Sequence, residues 1–349
     1  MHVPAQDDSE DGKQPKLQRV ALDATAGALA GAISRFMVGP LDVVKIRFQV
    51  QLEPISMQHS AKLPSHYTGF LNAFKTIVAD EGIRGLWNGT VPGLLLTIPY
   101  TAVQFVALQQ CKEAAAKLGW GERSSTPVAF TSGALAGAAA TVASYPFDLL
   151  RTTLAAQGEP KVYRGMTSAA RAIYREHGLP GLYRGLGVTL VEIMPYAALQ
   201  FGLYDAFNKA SAEQLLGRKL EDRKLQSFLC GLSAGLIAKL GSHPLDVAKK
   251  RYQVAGLPRS LRYGARVESR LAVMPLLACL GEIKAKEGLA GLWKGSVPSI
   301  VKAAPAAAIT FTAYEALIGF MLAWSQRAVQ PAAPPAEEQA WRPTGSKAQ

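Results

Sequence analysis

The sequence predicts an all-α membrane protein assembled from three tandem copies of one helix-pair unit. Three observations lead there. A Gly-x-x-x-Gly pattern followed by a proline recurs three times at one spacing, a second glycine-rich motif recurs three times behind it, and long windows of the chain carry no acidic or basic residue. Length and composition decide little, because 349 residues with 49% apolar content fit several soluble domains or one membrane domain. Mean hydropathy is only slightly positive, so the placement of charges, rather than their number, has to carry the membrane reading.

The first element of each unit starts at Gly27-Ala-Leu-Ala-Gly31, Gly133-Ala-Leu-Ala-Gly137 and Gly231-Leu-Ser-Ala-Gly235, and nine residues after the second glycine stand Pro40, Pro146 and Pro244. Glycines four apart let helix backbones approach closely, which is how helices associate in lipid. A proline within such a helix frees backbone groups that neighbours or a wet cavity must satisfy. From each proline one string runs on: Pro40-Leu-Asp42-Val-Val-Lys45, Pro146-Phe-Asp148-Leu-Leu-Arg151 and Pro244-Leu-Asp246-Val-Ala-Lys249.

The second motif reads Glu81-Gly-Ile-Arg-Gly-Leu-Trp87-Asn-Gly89, His177-Gly-Leu-Pro-Gly-Leu-Tyr183-Arg-Gly185 and Glu287-Gly-Leu-Ala-Gly-Leu-Trp293-Lys-Gly295. Ten residues after its last glycine come Pro99, Pro195 and Pro305, and six later Phe105, Phe201 and Phe311. Each unit therefore reads as a long helix kinked at proline, a short amphipathic surface helix, and a second long kinked helix, giving six spans. The charge-free windows from Arg84 to Lys112 and from Arg123 to Asp148 each exceed the roughly 20 residues a span needs. Repeat one is expected over 17–120, repeat two over 124–217 and repeat three over 222–326. Residues 1–16 and 327–349 are expected to be disordered tails, the latter Pro/Ala-rich. Leu52 to His66 and Gly256 to Arg270 read as loops.

Several function classes are excluded. The net charge of +12 comes with no Lys/Arg block interleaved with aromatics, so no nucleic-acid partner is expected, and an anionic membrane surface suits the charge better. Cys111, Cys230 and Cys279 stand far apart with neither CxxC spacing nor a nearby histidine, so no metal site is expected. No Ser/His/Asp set, HExxH helix or P-loop occurs, so no enzyme activity, catalytic residue or cofactor is assigned. His2, His59, His66 and His177 fall in tails, loops or helix ends, and His243 directly precedes Pro244. The acidic N-terminus, MHVPAQDDSEDG, lacks the features of a signal or transit peptide.

A threefold repeat of Pro-x-Asp-x-x-Lys/Arg followed by an acidic-Gly-x4-aromatic-basic-Gly motif resembles the mitochondrial carrier family over roughly residues 17 to 325. The resemblance implies a six-helix, pseudo-threefold barrel with three short amphipathic helices on the matrix side. It further implies a monomer in the inner mitochondrial membrane, multi-pass, with both termini cytosolic, that works by alternating access. Within the family, Asp42-VVKIRFQVQLEP, Ser144-YPFDLLRTTLAAQGEPKVY, Val191-EIMPYAALQFGLYD, and His243-PLDVAKKRYQVAGLPR with Arg262-YGARVE resemble carriers of thiamine diphosphate. That implies import of this cofactor into the matrix, in exchange for another phosphorylated compound. The alternative is another phosphorylated cofactor or nucleotide, such as coenzyme A or an adenine nucleotide. Asn88 and His177 depart from the pattern, which prefers a base and an acid there; weaker contact with lipid, cardiolipin in this family, is the expected result.

By the same resemblance, Asp42 pairs with Arg151, Asp148 with Lys249 and Asp246 with Lys45 to close the matrix side, with Gln49 and Gln253 as braces and Ala155 in their place in unit two. Pairs three residues apart within each helix are the bland alternative. On the cytosolic side the acid positions read Gln109, Asp205 and Glu315 and the base positions Lys112, Asn208 and Ile318. With Lys112 as the one base, this gate is expected to be the weaker, so the empty protein rests closed to the matrix.

A substrate without threefold symmetry should be read where the repeats differ. Three residues before the later prolines lie Leu96, Glu192 and Lys302; five before the earlier prolines lie Arg35, Thr141 and Lys239. A charge at membrane depth faces water, a partner or a ligand. Arg35, Lys239 and Lys302 suit phosphate oxygens, while Glu192 suits the cationic thiazolium and aminopyrimidine of thiamine diphosphate. Thr97, Thr101 and Gln104 add neutral hydrogen bonds from one helix face. The competing reading pairs Glu192 with Lys302 across the cavity.

Overall fold

A computed structural model describes residues 10–53, 67–119, 126–214, 220–258 and 266–329, and among them every regular element is helical. The ends expected as tails, 1–9 and 330–349, and loop residues 54–66 and 259–265 lie outside the described residues. The first helix begins at Glu10 and the last reaches Val329, so helix extends into both stretches read as tails.

In repeat one, α1 (Glu10–Met37) and α2 (Gly39–Val50) meet at Val38 and are bent by 58°. The surface helix α3 (Phe70–Glu81) and a short 3-10 helix, Ile83–Trp87, lead to α4 (Thr90–Leu95) and α5 (Thr97–Lys117). Repeat two runs α6 (Thr126–Ala156), α7 (Met166–Leu182) and α8 (Leu186–Gln214); repeat three runs α9 (Leu220–Val254), a 3-10 helix Ser269–Val273, α10 (Leu276–Gly291), α11 (Ser296–Val301) and α12 (Ala303–Val329). The prolines have two outcomes. Pro146, Pro195 and Pro244 sit inside continuous helices, whereas the segments holding Pro40, Pro99 and Pro305 are broken at Val38, Leu96 and Lys302. Proline removes one i→i−4 hydrogen bond and crowds that carbonyl, so a kink or a break is the expected range of response.

Ile83–Lys117, Leu186–Ala210 and Ser296–Trp324 are long and apolar enough to cross a membrane, and α1 with α2 qualifies as one bent span. The charge-free window between Arg123 and Asp148 falls within α6, a helix of 31 residues with Pro146 inside it. Charge keeps α9 below the mark, with Lys239, Asp246, Lys249, Lys250 and Arg251 on it. Phe105, Phe201 and Phe311 are exposed by 72%, 62% and 63%, which in this setting is exposure to lipid rather than to water.

The chain separates into two compact units, Ser34–Ala307 and Met1–Ile33 with Ala308–Gln349, the latter described at residues 10–33 and 308–329. In that smaller unit the Tyr314 hydroxyl donates to Asp23 Oδ1 at 3.2 Å. In the larger unit α2, α6 and α9 touch pairwise, and a core of Val43, Val44, Ile46, Phe48, Val247, Ala248 and Tyr252 joins their C-terminal halves to α3 and α10. Close approach at the Gly-x-x-x-Gly faces is not found in this conformation. Among the described residues a Cβ built at Gly133, Gly137 or Gly235 meets nothing within 4 Å, and one at Gly231 meets only the Tyr204 ring, at 3.9 Å. The tight contacts sit instead at the far ends of these helices, where the glycines of the second motif pack.

Candidate functional site

The Pro-x-Asp-x-x-base strings bring their charges together between repeats. Arg151 Nη2 lies 2.5 Å from Asp42 Oδ2, Lys45 Nζ 2.6 Å from Asp246 Oδ2, and Lys249 Nζ 3.3 Å from Asp148 Oδ2. The alternative of pairs three residues apart within one helix is not what the structure has at these positions. Three more cations lean on the same acids. Lys302 Nζ pairs with Asp42 Oδ1, Lys239 Nζ lies 3.0 Å from Asp246 Oδ2, and Lys250 Nζ lies 3.5 Å from Asp148 Oδ1. Glu192, nine-tenths buried, is shared between Lys239 at 3.3 Å and Lys249 at 4.0 Å. The competing reading, Glu192 paired with Lys302, therefore gives way to Glu192 with Lys239 and Lys302 with Asp42. Among the described residues four carboxylates thus face six cations. Arg35 takes no acid: its Nη1 donates to the Gly93 carbonyl at 2.8 Å.

Gln253 braces one pair. Its Nε2 donates to Asp148 Oδ2 at 2.9 Å, and its Oε1 accepts from Thr152 at 2.8 Å and Lys250 at 2.9 Å. Gln49 is different: it is fully buried and both amide atoms are without a hydrogen-bond partner, so it makes no brace to Lys45 and Asp246. Lys250 escaped the sequence reading. Its register, six residues after the proline, reads Ile46, Thr152 and Lys250, a break in symmetry that would have flagged it.

A cavity of about 550 Å³ opens beside this network, lined by Leu96, Tyr100, Thr141, Ser144, Tyr145, Asp148, Thr189, Glu192, Tyr196, Lys239 and Lys249 among others. Its size falls within the roughly 300–1,000 Å³ of small-molecule sites. Of the three expected phosphate cations, Lys239 alone lines it. Arg35 lines a far smaller pocket with Asp42, Asn88 and Arg151. Thr97, Thr101 and Gln104 are not among the lining residues, to which this part of the chain contributes Leu96 and Tyr100. The Thr101 hydroxyl donates back to Thr97 O at 2.9 Å. Towards the other ends of the helices, Asp205 and Glu315 are exposed and Lys112 is half-buried; among the described residues of the larger unit no ion pair involves Lys112 or Asp205.

The second motif fastens each surface helix to the charge network. Trp87 Nε1 donates to Phe36 O at 2.8 Å and Trp293 Nε1 to Leu240 O at 3.0 Å. Those carbonyls lie four residues before Pro40 and Pro244, so they are the ones whose helical amide partner proline removes. Tyr183, with no indole, stacks on Tyr145 with ring centroids 6.1 Å apart. The last glycine of each motif has φ near +83°, where a side chain is strained. Each also packs on the next repeat: Gly89 on the Arg151 carbonyl, Gly185 on Tyr252 and Gln253, Gly295 on Lys45 and Gln49.

The acid of the motif has a buried partner. Glu81 holds Arg47 and Glu287 holds Arg251 in ion pairs whose side chains are almost completely covered. Arg47 and Arg251 sit seven residues after their prolines; Thr153 holds that position in repeat two, the repeat that also has His177 for the acid. The departure at His177 is thus matched by loss of the base it would have paired with. The base of the motif also serves within the protein. Lys294 donates to the Gln51, Leu52 and Glu53 carbonyls and pairs with Glu287, and Arg184 donates to the Ala255 carbonyl. These carbonyls lie just beyond the ends of α2 and α9, where a cation is favoured. Burial pushes the Lys294 ammonium below its ordinary range against the opposing pull of Glu287. Asn88 keeps only a 2.8 Å bond to Glu81, so what its change forfeits is a helix-end contact. His243, with Nε2 2.9 Å from the Lys294 carbonyl, ties its proline kink to the same motif. Among the described residues no cluster of three metal-ligating side chains occurs.

Three successive segments, residues 17–118, 122–214 and 221–323, match the family model described as mitochondrial carrier protein. The chain is 50% identical over 315 residues to mitochondrial thiamine diphosphate carrier 1 of Arabidopsis thaliana, covering 86% of this chain and 94% of that protein. It is 50% identical over 321 residues to mitochondrial thiamine diphosphate carrier 2 of Zea mays, covering 87% and 95%. Against the mitochondrial thiamine pyrophosphate carrier of Homo sapiens the identity is 37% over 310 residues, covering 88% and 94%.

Proposed function

The chain belongs to the mitochondrial carrier family, and we propose that it transports thiamine diphosphate across the inner mitochondrial membrane into the matrix. The observation that carries the ligand class is the charge imbalance: six cations share four carboxylates, with Arg35 nearby and unpaired to any acid. A surplus of buried positive charge is costly unless an anion meets it. A diphosphate supplies that anion, and the names of the relatives point to the same compound.

The arrangement also couples binding to gating. In the empty protein Lys239 and Lys302 help hold Asp246 and Asp42, the acids that tie α2, α6 and α9 together. A diphosphate that draws these lysines to itself weakens both ties, so the ligand loosens the matrix side in proportion to its own affinity for the two cations. Only such differential affinity shifts a population between states. Glu192, relieved of Lys239, is left to meet the positive end of the ligand. The protein acts as a transporter by alternating access, with no catalytic residue assigned. It works as a monomer that exchanges its substrate for another phosphorylated compound, and its lipid partner is cardiolipin.

The test is uptake of labelled thiamine diphosphate into liposomes carrying purified protein and preloaded with thiamine diphosphate, thiamine monophosphate, ATP or nothing, with Glu192→Gln alongside. Saturable uptake that the variant weakens is expected. Exchange of adenine nucleotides or coenzyme A without uptake of thiamine diphosphate would overturn the substrate while leaving the role of the cations. The resting state is tested by labelling cysteines placed in the cavity: reaction from the cytosolic side is expected, and preferential reaction from the matrix side refutes it.

A further inference from the structure

Tyr196 stands directly after the kink proline of α8; the matching residues are Tyr100 after Pro99 and Ala306 after Pro305. Both tyrosines line the cavity that holds Glu192 and Lys239. Lys239 Nζ lies over the Tyr196 ring, 5.8 Å from its centroid, and 3.3 Å from Glu192 Oε1. An aromatic face and a carboxylate meeting on one cation is an arrangement that also suits a ligand's organic cation, since ring faces attract ammonium and larger delocalised cations alike. In this structure the occupant is a lysine whose ammonium has a second acid, Asp246, 3.0 Å away.

We infer that Tyr196 and Glu192 form a cation subsite, held by Lys239 in this structure and taken over on binding by a fixed organic cation of the ligand. The ring face takes one cation at a time, so the newcomer displaces Lys239. The displaced ammonium keeps Asp246 and loses Glu192, and an anion arriving on the same ligand replaces the lost partner. A purely anionic ligand leaves Lys239 on the ring. A purely cationic one expels it and gives it nothing. The subsite therefore selects ligands carrying both an aromatic cation and a polyanion. Thiamine diphosphate fits that class, and the inference rests on the proposed substrate only for the ligand's identity.

Uptake of labelled thiamine diphosphate by the full-length protein in liposomes is compared for Tyr196→Leu and Tyr196→Phe, with thiamine and inorganic pyrophosphate as competitors. Removing the ring is expected to raise KM about thirtyfold, the scale of a desolvated cation–π contact, while inhibition by pyrophosphate stays unchanged. Keeping the ring as Phe is expected to hold KM within about twofold. A Tyr196→Leu variant that loses both ligands equally, or a Tyr196→Phe variant as impaired as Tyr196→Leu, overturns the subsite. If the unsubstituted protein takes up no thiamine diphosphate, the substrate reading fails instead. The subsite is then judged by the thermal shift that thiamine diphosphate produces beyond that of pyrophosphate: a difference abolished by Tyr196→Leu and kept by Tyr196→Phe sustains it, and any other result overturns it.

Discussion

Replacing Trp87 or Trp293 by phenylalanine isolates one hydrogen bond. In Trp87→Phe the stack on Phe36, with ring centroids 5.6 Å apart, can persist. What goes is the indole N–H that donates to Phe36 O at 2.8 Å; in Trp293→Phe it is the donor to Leu240 O at 3.0 Å. Neither carbonyl has a helical amide to return to, because the residues four further on are Pro40 and Pro244. Lipid offers no substitute donor. An acceptor left unsatisfied away from water costs about 1–3 kcal/mol, and each variant should lose that much stability in denaturant or thermal unfolding of the detergent-purified protein. Tyr183→Phe is the internal control, since the ring there stacks on Tyr145 without an indole donor; its cost should stay within about 0.5 kcal/mol, as for substitutions that break no such feature. If the two tryptophan variants are no less stable than the tyrosine variant, the idea that the second motif repairs the proline kinks is wrong.

Gly89→Ala should destabilise more than Gly185→Ala, because its Cβ would stand 2.4 Å from a backbone carbonyl, Arg151 O, whereas at Gly185 the nearest atoms are side-chain atoms at 3.0 Å or more; backbone strain adds about 1–3 kcal/mol at both, and equal melting temperatures would refute the ordering. In repeat two, Thr153→Arg should cost about 3–5 kcal/mol as a buried unpaired charge, and adding His177→Glu should recover most of it by rebuilding the ion pair of the sister repeats; a double variant as unstable as the single one tells against the pairing. Asp246→Lys alone should abolish uptake, and combining it with Lys45→Asp should restore a measurable part, read as transport in liposomes; no recovery is the result that counts against a direct pair.

The repeat made the elements legible, because an identical string at an identical spacing fixes which residues share a level, and the three interhelical pairs came from the family resemblance. It did not show what crosses the space between helices. Arg35, Lys239 and Lys302 were found by their broken symmetry, yet nothing in their spacing says that Lys302 rests on Asp42 or that Arg35 takes a carbonyl. Arg47 and Arg251 were visible in principle: Thr153 and His177 change in the same repeat, and paired changes in a threefold alignment point to a contact. Thr97 and Thr101 missed the cavity because one-face periodicity leaves open which face turns inward, and Gln104, one turn beyond Tyr100, lies past the lining residues. The Gly-x-x-x-Gly faces and Gln49 mislead for a different reason. Sequence gives a capacity for close packing or bracing, and the conformation decides whether it is used.

The division between symmetric and asymmetric charges has a functional edge. The three acid–base pairs common to all repeats are neutral as a set and need no ligand. The asymmetric residues add one acid, Glu192, against the bases Lys239, Lys250 and Lys302, so the positive surplus comes entirely from positions where the repeats differ. Each of these bases is anchored on a symmetric acid. Recognition and closure therefore draw on the same carboxylates, and no single substitution among the three lysines can change one without the other. On the proposed reading Lys302→Gln removes a cation on which the ligand draws and leaves Asp42 with Arg151 as its remaining ion-pair partner, so weaker binding and an easier opening of the matrix side should appear together. A design that tunes affinity alone has to act at a residue that touches the ligand without holding a gate acid, and among the cavity's described side chains Tyr196 answers that description.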